Sequence, residues 1–574
     1  MRYRRCVIAG GGPAGLMLAV ELLRRRAGLE VEVYDAPAAD GTGIVLEDEF
    51  VASLVGRDPS SGTAIRRAAH QWDVVRLRTD DAEMLSGGHV ILGIGRKRLL
   101  DILRERARDL GAVVHSRRFD PAEASNAAEL VVGADGAGSA VRQFRADVHG
   151  PEIATGGTRY LWMWADAALA PGFWFRRSRW GALVTHVYPY AERASVVIVE
   201  CTPRTLRDAG LDVLDQSQVQ DRLTELFADE LGDARLRCSA FPWRPFRTVV
   251  NRQWRAGNQI LVGDAAHTTH FTVGSGTRLA IEDAVAVADA LCVSPTAASL
   301  DDYEHARRPV VEAVQRDARS SQQWFEHIDR HIRLPGHQLA FALRTRRDVN
   351  TYGWLEQRDP DFVSKVLRTV AADQRTVSGC VRSAPRLLPL RLGPVTASSR
   401  LAMVLPAPPP PGRTPVGIVF HPAPGAASAP GPAPSGLAVA CADDHTGASS
   451  SCVLLIDSWP VVRKHLTGRR SRFGQAVGAV VDGVDWRAED AELLRAAVDF
   501  IVVRAPEAGQ RVERTGLAEH LRNAHSATVL LWTPDFTEDE ADTLIAAGRI
   551  DGYLHGLAQP ASPLTAHQEG ILHG

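Results

Sequence analysis

Three short stretches of this chain combine glycines with an acidic residue in a way that suits a long, phosphate-bearing ligand. Residues 10–15 read Gly10-Gly11-Gly12-Pro13-Ala14-Gly15 and fit G-x-G-x-x-G. They lie between a strand-like run at 3–9 and an amphipathic helical stretch at 13–26, the context in which this motif binds a dinucleotide. Gly10 permits a tight turn, Gly12 lets a pyrophosphate approach the backbone, and Gly15 lets helix and strand pack closely. Asp35 ends the strand 30–35, placed to accept hydrogen bonds from a ribose diol. A second Gly-Asp, at Gly263-Asp264, follows the run 258–263 and is itself followed by Gly274-Ser275-Gly276-Thr277 and a helical stretch. Asp264 also reads as a helix N-cap, a role compatible with ligand binding. The third stretch, VVGADGAGSAVR at 131–142, sets Asp135-Gly136 after a strand, with Ser139 and Arg142 beyond.

A second set of residues suits proton transfer to or from an aromatic ring. His186 and Tyr188 alternate in THVYPY, so they share a strand face; Thr269 and His270 lie in the turn after Asp264. A neutral histidine bonded to a phenol makes it more nucleophilic. The other reading of His186 and Tyr188 is that of ordinary sheet residues with satisfied hydrogen bonds, while His267 braces its turn. Trp162 and Trp164 also share a face and read as core packing rather than as a substrate wall. Arg176, Arg177 and Arg179, and Arg344, Arg346 and Arg347, read as solvated arginines, with binding of phosphates as the alternative.

The elements that must position these residues follow from patterning. Strands at 3–9, 30–35, 112–115 and 129–133, with helices at 13–26 and 96–110, form an α/β unit that resumes at 258–263. Between its two parts, 157–202 alternates every second residue and is aromatic-rich, which predicts an antiparallel sheet with one covered face. Helices dominate 279–325 and 336–373. Residues 383–436 are rich in Pro, Ala and Gly, and a shorter α/β region runs from about 437 to 557.

Composition narrows the classes. The 574 residues carry a net charge of −2, which offers no field for nucleic acid or a membrane surface. No apolar run is long enough to span a bilayer. The seven cysteines are scattered and odd in number, without metal-ligand spacing, so no metal is expected and a reducing cytoplasm is the simple location.

The Gly-rich opening, Asp135-Gly136 and Gly263-Asp264 together resemble the single-component FAD-dependent aromatic hydroxylases. In that family the Gly-Asp aspartate, here Asp264, binds the flavin ribityl chain. The Asp-Gly aspartate, here Asp135, is linked to both FAD and the nicotinamide cofactor. Arg96-x-x-Leu99-x-x-x-Leu103 matches the arginine that reaches FAD from a helix start. GHVILGIGRKRLLDIL (88–103), GDAAHTTHFTVGSGTRLAIED (263–283) and FALRTRRDVNTYGWLEQRDPDFV (341–363) narrow the resemblance to the salicylyl-CoA 5-hydroxylase and 2-aminobenzoyl-CoA monooxygenase/reductase group. His270-Phe271, where most aromatic hydroxylases carry Pro-Pro, and Thr277-Arg278, in place of Met-Asn, agree with that group, whereas Thr42 stands where a Trp is expected.

The resemblance implies a Rossmann-like FAD-binding domain with an inserted substrate sheet, mainly 70–95 and 155–255, within a hydroxylase spanning 1–375. It implies a linker at 376–436, and at 437–574 an α/β region resembling a truncated old-yellow-enzyme-like (β/α) barrel, a decayed reductase kept as a structural cap. The implied cofactor set is FAD, held by Gly10, Gly12, Pro13, Ala14, Gly15, Asp35, Arg96, Asp135, Asp264, Gly274, Ser275, Gly276 and Thr277, with NAD(P)H as reductant. The implied reaction inserts oxygen from O2, through a flavin hydroperoxide, into an aromatic substrate linked to CoA or a carrier protein. A non-oxygenating flavin oxidoreductase and a flavin-binding sequestering or scaffold protein are the alternatives, and oligomeric state is open.

Overall fold

The computed structural model describes residues 3–372, with breaks at 26–28, 37–42, 89, 124–128, 294–296 and 348. Beyond 372 it describes short segments between 390 and 532, and then 537–556. Thr42 lies outside the described residues. Two compact units divide the chain: Met1–Ile332 with Arg346–Asp348, and Arg333–Thr345 with Val349–Gly574.

The first unit is built on a six-stranded sheet in the order Arg255–Ala256, Gln259–Leu261, Glu129–Gly133, Arg5–Ala9, Glu30–Tyr34, Val113–His115. All neighbours are parallel except the first pair. The central strands Arg5–Ala9, Glu129–Gly133 and Gln259–Leu261 are near-continuous apolar runs because helices cover the sheet. Pro13–Arg25 packs against Gly276–Val293 and Arg96–Asp109 over a core that includes Ile8, Leu18, Val132, Leu261 and Ile281. Register fixes the site. Ala9 pairs with Tyr34 and Gly133, and Gly133 pairs with Leu261, so the glycine loop, Asp35, Asp135 and Asp264 all leave the same edge. The carboxyl ends of parallel strands are where such sheets bind ligands.

A seven-stranded sheet runs Leu236–Arg244, Arg159–Ala165, Ala194–Cys201, Gly181–Ala191, Gly172–Ser178, Val75–Arg78, Glu83–Ser86. It departs from the expectation in two ways. Gly172–Ser178 pairs with Val75–Arg78 in parallel, because the partner comes from a distant part of the chain. Both faces are covered: Leu161, Leu183, Val187 and Val199 lie in an apolar cluster with Val219, Leu223 and Phe227, while His186, on the other face, packs against Phe271 and Phe325. Alternation signals one apolar face; the aromatic and polar face is buried by partners far away in sequence. A three-stranded sheet, Gly43–Glu47, Ile91–Gly95 and His70–Trp72, carries Gly43 to Val45 toward the site.

In the second unit, Gly336–Arg344, Tyr352–Arg358 and Pro360–Ala372 pack with Glu538–Ala546. The Tyr352 amide donates to Thr543 Oγ1 at 2.7 Å and the Gly353 amide to Asp539 Oδ1 at 2.7 Å. These helices therefore cluster with Glu538–Ala546 in one compact unit. An eight-stranded sheet follows the order Leu437–Cys441, Ile418–Pro422, Leu401–Val404, Gly552–Gly556, Thr528–Trp532, Phe500–Arg504, Val477–Val481, Leu454–Ile456. Its two end strands also touch. Leu390–Leu392, Val395–Ala397, Leu401–Val404 and Ile418–Pro422 fall within the Pro/Ala-rich span 376–436, where Pro and Gly between them mask strands of three to five residues.

Candidate active site

One cavity of about 750 Å³ collects the chemistry-bearing stretches. Its lining includes Gly10, Gly12, Pro13, Ala14 and Asp35 from the first part of the chain, and Asp264, Thr269, Gly274, Gly276 and Thr277 from the later part, with Arg96 and Asp135 also in the wall.

The glycine loop works as its spacing suggests. Gly10 has φ +109°, and a Cβ there would stand 2.2 Å from the Ala134 carbonyl oxygen. At Gly15 a Cβ would stand 2.0 Å from the Gly10 carbonyl oxygen, so helix and loop touch only because Gly15 has no side chain. A Cβ on Gly12 would meet nothing nearer than 4.0 Å, so this position faces open cavity. Gly11 is a further requirement that the motif does not predict, since a Cβ would stand 2.4 Å from the Asp35 carboxyl carbon. Asp35 accepts from the Gly11 amide at 3.2 Å and from Arg104 at 2.8 Å, and a carboxylate so held keeps further lone pairs for a diol.

Asp264 lies within the turn Gly263–Ala265, whose N-cap is Val262, so it caps no helix. Its carboxylate is open to the cavity yet surrounded by protein on every other side. Burial therefore raises its pKa, with His267 and Arg96 opposing. His267 braces the turn, as expected: its Nε2 lies 2.7 Å from Asp283 Oδ2, which also accepts from the Gly263 amide at 3.0 Å. Asp135 accepts the Ala140 amide at 2.7 Å through Oδ2, and its buried Oδ1 has no protein partner. Arg142 donates to the Ala265 carbonyl at 2.9 Å and ties the second acidic stretch to the third. Ser275 is buried beside the lining, with Oγ unpartnered.

The residues expected to act on a ring divide into two pairs. Tyr188 lines the cavity, donates to the Gly43 carbonyl at 3.0 Å, and has its phenol pKa raised by burial. Thr269 also lines the cavity, with a buried, unpartnered hydroxyl. His186 and His270 are not in the lining. His186 Nε2 sits 3.0 Å from Glu200 Oε2, and Glu200 also accepts from Thr158 at 2.6 Å. His270, 2% exposed, bonds Thr272 Oγ1 through Nδ1 at 2.9 Å and leaves Nε2 without a partner. Burial pushes its pKa down to about 4. Both imidazoles pack on Phe271, with ring centroids 5.3 Å and 4.4 Å away, and Phe271 is the ring that reaches the cavity.

Several lining residues were not legible in sequence. Trp162, read as core, is cavity wall, as are Ile44, Val45 and Phe246. Their contribution depends on which strand faces the cleft, and a lone aromatic in an apolar strand carries no such signal. At least four of the six clustered arginines pair or bond within the protein. Arg176 pairs with Asp80 and Glu230, Arg177 with Asp80 and Asp81, and Arg347 with Asp317. Arg346 donates to Ser321 Oγ and the Thr272 carbonyl.

Known proteins place this chain in a class. The family described as the FAD binding domain matches residues 4–318, and the chain belongs to it; the protein is an FAD-dependent monooxygenase. It is similar to a salicyloyl-CoA 5-hydroxylase of Streptomyces sp, 34% identical over 374 residues, covering 62% of this chain and 72% of that one. It is similar also to a 3-hydroxy-4-methyl-anthranilyl-(aryl-carrier protein) 5-monooxygenase of Streptosporangium sibiricum, 35% identical, covering 61% of this chain and 97% of that one. Protodeoxyviolaceinate monooxygenase of Chromobacterium violaceum is 25% identical over 60% of this chain and 94% of its own.

The residues fit FAD. The adenosine-side loop and the Asp264 turn open into one cavity, Gly12 leaves room for a pyrophosphate, and polar atoms of Asp135 and Thr269 wait without protein partners. NAD(P)H is the reductant of this class. Among the described residues no helix is long and apolar enough to cross a membrane.

Proposed function

We propose that the protein hydroxylates an aromatic acid presented as a CoA or carrier-protein thioester, using NADH or NADPH and O2. The observation carrying this reading is that one cavity is lined both by the dinucleotide-binding loop and by aromatic rings. Trp162, Tyr188, Phe246 and Phe271 line it together with the glycine loop. The two relatives named for CoA-bound and carrier-bound aryl substrates support the thioester.

FAD, when bound, supplies the hydride acceptor and the activation of oxygen. The chain supplies grip and orientation. Gly10 to Gly15 and the N-terminus of Pro13–Arg25 hold phosphates, Asp35 a ribose, and Asp264 with Arg96 the flavin side. The aromatic wall excludes water, and Thr269 and Tyr188 orient the ring's hydroxyl or amino group. His186 and His270, set against Phe271, act as positioning residues for that ring. The C-terminal unit reads as a shortened (β/α) barrel related to a reductase and without a flavin of its own. The test is substrate-dependent NAD(P)H oxidation by the purified holoprotein across a panel of aryl thioesters. The expected result is oxygen uptake matched by a product heavier by one oxygen. NAD(P)H loss without hydroxylated product across the panel overturns the reading.

A further inference from the structure

A side chamber of about 320 Å³ branches from the main cavity, with Gly43, Ile44, Arg96 and Trp162 belonging to both walls. Its other walls are Tyr160, Ala240, Pro242 and Arg244. The chamber owes its shape to an irregularity in the outermost strand of the seven-stranded sheet. Leu236–Arg244 pairs with Arg159–Ala165 so that Tyr160 faces Arg244 while Trp162 faces Ala240. Two residues on one strand thus span four on the other, and the register shifts between them. Bulges of this kind re-aim side chains and recur beside active sites. Here Ala240, Pro242 and Arg244, all on the bulged strand, line the chamber.

Arg244 is exposed, and its guanidinium makes only a long 3.4 Å contact to the Phe241 carbonyl. No carboxylate among the described residues pairs with it. Its positive charge is felt by Tyr160, whose phenol pKa is raised by burial and lowered by Arg244. The floor is aromatic: Tyr160 meets Trp162 edge-on and tilts against Phe271, at centroid distances of 6.4 Å and 4.9 Å. A chamber with an apolar aromatic floor and an unpaired guanidinium at its rim suits a ligand with a flat apolar head and an oxyanion. Guanidinium forks bind carboxylate and phosphate oxygens in pairs, which gives geometric selection as well as attraction.

We propose that this chamber is the anion-reading end of the substrate site and that Arg244 is a specificity-determining residue gripping an oxyanion of the aromatic substrate. The proposal deepens the function given above and rests on it. The oxyanion has two sources, a phosphate of a thioester's pantetheine arm or the carboxylate of a free aryl acid, and the experiment separates them.

Holoprotein with Arg244, with Arg244→Gln and with Arg244→Lys is titrated with an aryl-CoA, with the aryl pantetheine lacking phosphate, and with the free aryl acid. Binding is followed by perturbation of the flavin absorbance, and turnover by NAD(P)H oxidation. Loss of one charged, bidentate contact is expected to raise Kd and KM by about 10- to 100-fold in Arg244→Gln, with kcat within about twofold and FAD content unchanged. Arg244→Lys is expected to recover part of the affinity. If the phosphate is the anion, only the aryl-CoA shows the effect; if the carboxylate, only the free acid does. Equal Kd for all ligands in all three proteins overturns the proposal, as does failure of every ligand to bind the unsubstituted protein. Binding that depends on Arg244 without any hydroxylated product supports the chamber and overturns only the assigned reaction.

Discussion

Single side chains in this site are held by constraints that can be tested one at a time. Gly15 and Gly12 differ in what a methyl group would meet, the Gly10 carbonyl oxygen at 2.0 Å against nothing nearer than 4.0 Å. Gly15→Ala is expected to disturb the loop itself and yield protein without FAD absorbance. Gly12→Ala is expected to leave the melting temperature of the apoprotein unchanged while raising the Kd for FAD by about tenfold or more. A normal flavin spectrum in both variants contradicts this account of the loop. His270 makes a different kind of prediction. Its folded pKa of about 4 lies below the ordinary histidine value of 6.5, because burial outweighs the favourable field of Glu200. Between those values the unfolded chain binds the proton and the folded chain does not. The stability associated with neutral His270 is therefore complete above about pH 6.5 and is lost as pH falls toward 4, by about 3 kcal/mol in full. Urea midpoints at pH 7 and pH 5 should converge in His270→Gln relative to the unsubstituted protein; equal pH slopes count against a buried neutral imidazole. By the same reasoning, the pH profile of kcat should show no His270 ionisation between pH 6 and 9.

At the scale of elements, the site depends on how the turn at Gly263–Ala265 is tied to Gly276–Val293. Asp283 carries that tie. It is fully buried, accepts from the Gly263 amide at 3.0 Å, meets His267 at 2.7 Å, and pairs with Arg307 at 2.9 Å. Burial opposes its ionisation, yet His267 and Arg307 outweigh that cost and hold the carboxyl below its usual range. Asp283→Ala removes the acceptor shared by the Gly263 amide and His267 and leaves Arg307 with Glu282 as its remaining carboxylate partner. The expected loss is about 3–5 kcal/mol of stability, read from urea unfolding, together with weaker FAD retention after gel filtration. An unchanged midpoint indicates that the tie is dispensable. Much at this scale is legible in sequence: Arg5–Ala9, Glu129–Gly133 and Gln259–Leu261 are apolar after their first residue and run into Gly or Asp. The shift in register that opens the side chamber is not legible, since Pro242 in LRCSAFPWR (236–244) marks an edge or irregular strand but does not say which residues fall out of pairing. Nor is the second covered face of the seven-stranded sheet, because Phe271 and Phe325, which cover His186, lie 85 and 139 positions beyond it.

Across the whole molecule, the chain combines a flavin-binding unit with a second unit in which, among the described residues, four helices and an eight-stranded sheet fall together. If the second unit is a barrel remnant without a flavin of its own, purified protein should carry about one FAD per chain and no FMN, measured by chromatography of the released flavin. Two flavins per chain would require a second site. The sequence by itself determined the parallel sheet, the glycine loop and the acidic strand tips, because these are local contracts between residue type and backbone: a positive φ, a close approach, a carboxylate at a strand end. Only the tertiary structure decided which aromatic rings line the cleft, that the two histidines stand behind Phe271, and that Arg244 lines the side chamber. Those outcomes depend on register and on faces brought together from distant segments, and no single stretch of chain encodes them.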